Sequence, residues 1–201
     1  MKSILTFILF IATTTLYAQE FVDLGLSVQW ATCNLGANSP EEFGDYYAWG
    51  ETKKKLLYSS DNSTTHGKSI SELRSAGVID TNNNLTAKYD AATKNLGNSY
   101  RMPTKEEMEE LVDSCTWVWS SYNGINGYYV ESKNGNCIFL PATGYCHNTD
   151  CIGIGSYGFY WCSTGNDLDY NGAYHLHFIS SYHDVYYPSR QNGQSVRPVA
   201  E

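Results

Sequence analysis

Basic residues are scarce in this 201-residue chain. Lys and Arg number 13 against 21 Asp and Glu, a formal net charge of −8 at pH 7. No run of cations exceeds Lys53, Lys54 and Lys55, so the basic footprint that nucleic acid or an anionic membrane surface requires is missing. There is no C-x-x-C pair, which argues against a zinc knuckle or a thioredoxin-like redox site. A G-x-S-x-G elbow, a zincin helix, a P-loop and a dinucleotide fingerprint are absent as well. Apolar runs are short everywhere except at the start.

That start, "MKSILTFILFIATTTLYA", sets Lys2 ahead of an apolar run from Ile4 to Ala12 and ends on the small residue Ala18. Residues 1–18 read as a secretory signal peptide. The run is much shorter than the ~20 residues of a membrane-spanning helix, so a secreted or cell-surface protein without membrane insertion is expected. No cysteine follows the cut, and a lipid anchor is not expected. Residues 19–201 suit one domain with a core of its own. They carry six cysteines, Cys33, Cys115, Cys137, Cys146, Cys151 and Cys162. In an oxidising compartment three disulfides are the default, with fifteen pairings open; Cys146 and Cys151 are close enough to staple a loop.

"EFVDLGLSVQWATCNLGANSP" reads as two short strands around a turn. In "SPEEFG", Ser39 can cap a first helical turn with Pro40 and two glutamates behind it. From about residue 53 to 86 the chain is polar and reads as an exposed, variable insert, with "SISELRSAG" as one short helix inside it. "AKYDAATKNLG" is another short helix, stopped at Gly97.

"RMPTKEEMEELVDSC" concentrates five carboxylates in a short span, Glu106, Glu107, Glu109, Glu110 and Asp113. Thr104 followed by Glu107 is a capping box, and Pro103 holds the chain out of helical geometry until Thr104. Met108, Leu111, Val112 and Cys115 recur at helical spacing on one face. The principal helix is therefore predicted over about 104–115, with its acids as solvated surface: consecutive exposed glutamates lack the shared cleft that splits the pKa values of a catalytic pair.

Beyond it come short aromatic and β-branched runs bounded by turn residues, "TWVWSSY", "NGYYVES", "NCIFLPATGY", "GFYWCST", "AYHLHFISS", "DVYYPS" and "SVRPV". "KNGN" is a hairpin turn with Asn134 and Gly135 suited to positive backbone angles. In "AYHLHFI", Tyr174, Leu176 and Phe178 face one side, His175 and His177 the other. The class is α+β, one principal helix with short antiparallel strands and long loops.

The stretches "VDLGLSVQWATCNLGANSPEEFGDYYAWGET", "YDAATKNLGNSYRMPTKEEMEELVDSCTW", "NGINGYYVESKNGNCIFLPATGY", "GSYGFYWCST" and "GQSVRPV" together resemble the Fibrobacter succinogenes major paralogous domain family, over nearly all of residues 19–201. That resemblance implies a C-type lectin-like fold. A more distant likeness is to the formylglycine-generating sulfatase-modifying enzymes, whose "RLPT" is similar to "RMPT" here. Members often carry serine where this chain has Cys137 and Cys162, so the resemblance implies a Cys137–Cys162 bridge, with Cys33–Cys115 and Cys146–Cys151 completing the set.

Several constellations invite function. Asp167, Asp169 and Asn171 alternate before Gly172 like the front of a calcium loop, but the twelfth position is Phe178 rather than glutamate, and these are ordinary turn residues. The Glu-Pro-Asn and Gln-Pro-Asp sugar motifs of calcium-dependent lectins are absent. His175 and His177, with His183 and Asp184 beyond the next turn, have spacing that zinc could use. Tyrosine usually occupies such positions in the family, which implies half-exposed surface side chains instead. Cys146 and Cys151 have the spacing of the copper-binding pair of the sulfatase-modifying enzymes, though oxidising conditions favour a plain disulfide.

Seventeen Tyr and five Trp remain. Trp30, Trp49, Trp117 and Trp161 sit in strand-like runs and read as core. Tyr182, His183, Tyr186, Tyr187 and Arg190, in "SSYHDVYYPSRQNG", lie among polar loop residues and read as the ligand-binding surface. The expected function is a secreted or cell-surface binding module, non-enzymatic and without a cofactor, that recognises a glycan or protein through loops between Tyr145 and Arg190. The alternatives are a structural component of a surface assembly and a metal-dependent oxidase-like enzyme built on Cys146 and Cys151.

Overall fold

A computed structural model describes residues 19–168 and 171–201; residues 1–18, where a signal peptide is expected, and Asp169 lie outside the described residues. The N-terminal strands β1 (Phe21–Val22) and β2 (Gln29–Ala31) pair with the last strand, β11 (Val199–Ala200), so the two ends of the domain close on one another. Between them run α1 (Ile70–Ser75), α2 (Ala91–Leu96) and the longest helix, α3 (Lys105–Ser114). The antiparallel sheet of β3 (Thr116–Tyr122), β4 (Ile125–Glu131) and β5 (Cys137–Pro141) follows. A small hairpin of β6 (Tyr145–His147) and β7 (Asp150–Ile152) leads into β8 (Gly158–Gly165), β9 (Ala173–Ile179) and β10 (Tyr182–Tyr186). These last three form a sheet in the order β10-β9-β8. The α+β class holds, and no described helix is long and apolar enough to cross a membrane.

Helix α3 begins as its sequence dictates. The Thr104 hydroxyl accepts from Glu107 N while the Glu107 carboxylate accepts from Thr104 N, the reciprocal pair of a capping box. Glu107 also takes both arms of the Arg101 guanidinium at 2.7 Å, and Glu110 receives Ser27 N at 3.0 Å. The acidic cluster is thus partly an anchor. Met108 and Leu111 enter the main core with Trp30, Tyr160, Leu176 and Phe178. Gly158 makes this packing feasible: a Cβ there would lie 2.0 Å from the Phe178 ring, so only glycine lets that ring lie on β8.

Three expectations are corrected. "SPEEFG" forms a turn rather than a helix. In "KNGN" Gly135 takes a positive φ and Asn134 does not; Asn134 instead accepts from Asn136 N through its side chain. The stretch 53–86 is no mere exposed insert, since Leu73, Val78, Ile79 and Leu85 form a second core with Trp49 and Trp161. Four apolar residues scattered through a polar stretch leave little periodic signal, yet α1 and the Ile79–Leu85 bridge bring them together.

Candidate functional site

The outer face of the β8–β10 sheet collects exposed rings. Because side chains alternate along a strand and directly paired residues share a face, the register lays out three cross-strand rows. Tyr157, one residue before β8, stands beside Ile179 and Tyr182; Phe159 beside His177 and Asp184; Trp161 beside His175 and Tyr186. Adjacent rows are two residues apart along the strands, roughly 7 Å. Trp161 and His175 are buried, which anchors one end, whereas Tyr157, Tyr182 and Tyr186 remain 41, 39 and 44 % exposed.

The rings contact one another. Phe159 and His177 stack with centroids 4.8 Å apart and planes 22° apart. Tyr186 meets His177 edge-on at 6.2 Å, and Tyr145 meets Phe159 edge-on at 5.0 Å. Tyr145 brings in the β6–β7 hairpin, whose strands are clamped by a Cys146–Cys151 disulfide. Ile152, paired with Tyr145, extends the apolar surface.

A polar rim borders the rings on β10, the free edge of the sheet. The Tyr182 hydroxyl donates to Asp184 Oδ2 at 2.9 Å and lies 2.6 Å from the Tyr186 hydroxyl. A phenol has one hydrogen; with that of Tyr182 given to the carboxylate, Tyr186 is the donor to Tyr182. Asp184 Oδ1 accepts Val185 N at 2.7 Å, which occupies a main-chain donor of the edge strand. The bonds with Tyr186 and then with Asp184 push the Tyr182 phenol well above its usual pKa.

Burial disfavours the charged form of both histidines in the rows. Burial lowers His177. His175, buried and bonded through Nδ1 to Gln194 Oε1 at 2.8 Å, is pushed down to about 3, chiefly by desolvation. Within the three rows, Asp184 is the one acidic side chain, and there is no Lys or Arg.

The expected ligand residues divide. Tyr182 and Tyr186 lie on this face. His183 projects to the opposite side and stacks on Trp117 at 4.4 Å, and Tyr187 packs edge-on against Tyr174 on that same side. Arg190 is not a surface residue: it is fully buried, its guanidinium 5.0 Å from the Trp49 ring and bonded to the carbonyls of Gly172 (2.7 Å) and Lys68 (2.9 Å). Tyr145, Tyr157 and Phe159 escaped the sequence reading as site residues, and His177 and Asp184 entered it only as zinc candidates; counting by twos through "YGFYW" and pairing it with "HLH" would have found the row.

The metal readings fare differently. His183 faces away from His175 and His177, so those three cannot converge, and His175 is buried rather than half-exposed. Asn171 Oδ1 accepts Gly67 N at 3.0 Å, while Asp167 is exposed and Asp169 lies outside the described residues. No group of three or more His, Cys, Asp or Glu side chains among the described residues is arranged to hold a metal ion.

Sulfur chemistry is corrected too. Cys146 and Cys151 are bonded to each other and offer no thiolate pair to copper. Cys33, Cys115, Cys137 and Cys162 are free. Cys162 is sealed in the main core while Cys137 is exposed at the start of β5, so the expected bridge between them is not made, and neither is Cys33–Cys115. Burial raises the Cys162 thiol well above its usual pKa, the condition of an inert structural cysteine.

The hollow lined by Asp80, Asp90, Arg101, Thr104 and Ser163, about 400 Å³ in volume, has its charged groups bonded within the fold, Asp80 accepting Asn82 N at 2.8 Å and Asn84 N at 2.9 Å. Asp90 accepts Thr93 N and Met102 N at 2.9 Å each, and Arg101 is paired with Glu107.

A family model described as a domain of unknown function (DUF8237) matches residues 125–199, the span that carries β4 to β10 and hence the ring face. No curated protein and no solved structure matches the chain.

Proposed function

We propose that the chain is an exported, non-catalytic recognition module of C-type lectin-like architecture that binds a glycan or protein ligand across the outer face of β8–β10. The observation that carries this reading is the solvent-facing row of mutually packed rings beside the Tyr182–Asp184–Tyr186 rim. Exposed aromatic surface costs a protein solubility unless a partner covers it, and tyrosine supplies large rigid contact area with a polar handle at small entropic cost. The α+β arrangement with one long helix agrees with the lectin-like resemblance, and the leader-like N-terminus supports a secreted or surface location.

The test is retention. Residues 19–201 immobilised on resin should hold a ligand from envelope extracts or on a glycan array, and the double variant Tyr182→Ala/Tyr186→Ala should lose it. Equal retention by both proteins would sink the reading.

A further inference from the structure

We infer that the ligand is a neutral, hydroxyl-rich carbohydrate chain, packed against Tyr157, Phe159 and His177 and gripped at one edge by acceptor oxygens of Asp184 and Tyr186. This rests on the recognition reading and narrows it to one chemical class.

The rim carries the argument. Its hydroxyl hydrogens are spent internally: Tyr186 donates to Tyr182 and Tyr182 to Asp184. What the cluster offers outward is therefore mainly acceptor, the remaining lone pairs of a carboxylate and a phenol. A partner must bring donors, as sugar hydroxyls do. A carboxylate, sulfate or phosphate would instead meet Asp184 with no Lys or Arg in the three rows to compensate, on a chain whose net charge is −8.

The floor agrees. Phe159 and His177 spend one ring face each on their own stack, and the half-buried apolar surface they leave beside Tyr157, itself 41 % exposed, suits the C–H groups of a pyranose. A protein partner fits less well. Main-chain pairing at β10 has lost the Val185 donor to Asp184.

The decisive measurement is titration of residues 19–201 with linear gluco-, manno-, xylo-, galacto- and chito-hexaose beside hexagalacturonate, read by calorimetry and by intrinsic fluorescence. At least one neutral hexasaccharide should bind, hexagalacturonate at least tenfold more weakly, and Phe159→Ala, Tyr182→Ala and Tyr186→Ala should each weaken the neutral ligand about tenfold or more. Tyr182 and Tyr186 are exposed, so thermal melting of their variants should match wild type and separate binding loss from misfolding. Tighter binding of hexagalacturonate, or neutral binding that all three variants leave intact, overturns the inference. If no hexasaccharide binds but a protein is held by wild type and released by Tyr182→Ala/Tyr186→Ala, the carbohydrate assignment falls and the recognition reading survives. If nothing is held, both fall.

Discussion

The Tyr182 and Tyr186 hydroxyl oxygens lie 2.6 Å apart, and one hydrogen bond between them fixes which way the whole rim is polarised. The bond from Tyr182 to Asp184 sets that direction. Asp184→Asn replaces a pure acceptor with a group that also carries two donors. It should reduce the preference for neutral over acidic hexasaccharide at least tenfold while leaving the melting temperature within a few degrees; an unchanged preference would remove Asp184 from the specificity argument.

Acid should loosen the domain through His175. Its folded pKa, about 3, lies below the ~6.5 of an unfolded histidine. Between those values the unfolded chain binds the proton and the folded one does not, so stability is full above pH 6.5 and falls as pH drops towards 3, by about 1.4 kcal/mol per pH unit at the steepest. Burial lowers His177 and His183 in the same sense. Urea melts from pH 7 to 4 should show the slope, and His175→Gln should flatten it; an equal slope in both proteins would assign acid sensitivity elsewhere.

Helix α3 tests whether its acids are scaffold. Glu106→Gln should shift stability by no more than about 0.5 kcal/mol, as expected of a surface substitution, and Glu109→Gln by a similar amount, since its Lys105 partner at 3.0 Å is a partly exposed i,i+4 pair. Thr104→Ala should cost about 1 kcal/mol through loss of the cap. Glu107→Gln should cost at least as much, because it weakens both the cap and the two-armed Arg101 pair. Denaturant midpoints read all four, and equal effects would contradict the division of labour.

Arg190→Ala should cost at least ~3 kcal/mol, because it strands the buried carbonyl of Gly172, removes the bond to Lys68 O and empties the space over Trp49. Arg190→Lys should rescue little of this, since an ammonium cannot reproduce the planar fork. Stable, fully folded Arg190→Ala protein with lost binding would restore Arg190 to the ligand site.

Thiol titration of unfolded, unreduced protein should count four free thiols, for Cys33, Cys115, Cys137 and Cys162. Cys146→Ser/Cys151→Ser should lower stability by about 2 kcal/mol, the modest value expected when so short a loop is cross-linked. It should also weaken ligand binding, because Tyr145 then rests on an unclamped hairpin.

What the chain reveals by itself follows the range of the interactions. The capping box at Thr104 is complete within four residues, so α3 was legible to within one residue at each end. Most of the short strands were legible for the same reason, each being a compact run between turn residues, whereas in "SVRPV" only Val199 belongs to a strand. Arg190 was misplaced because its flanking residues are polar while its partners, Trp49, Lys68 and Gly172, are up to 141 positions away in the chain. The ring face was missed for a related reason: Phe159, His177 and Asp184 become neighbours only once two registers are fixed.

The bond from Val185 N to Asp184 Oδ1 bears on how many such molecules behave side by side. A sheet border whose donor is already satisfied is a poor seed for strand-by-strand growth. Crowded together on one substrate, copies of this domain should stay discrete and exchangeable rather than zip into fibres, so light scattering of concentrated protein should remain flat until Asp184 is replaced.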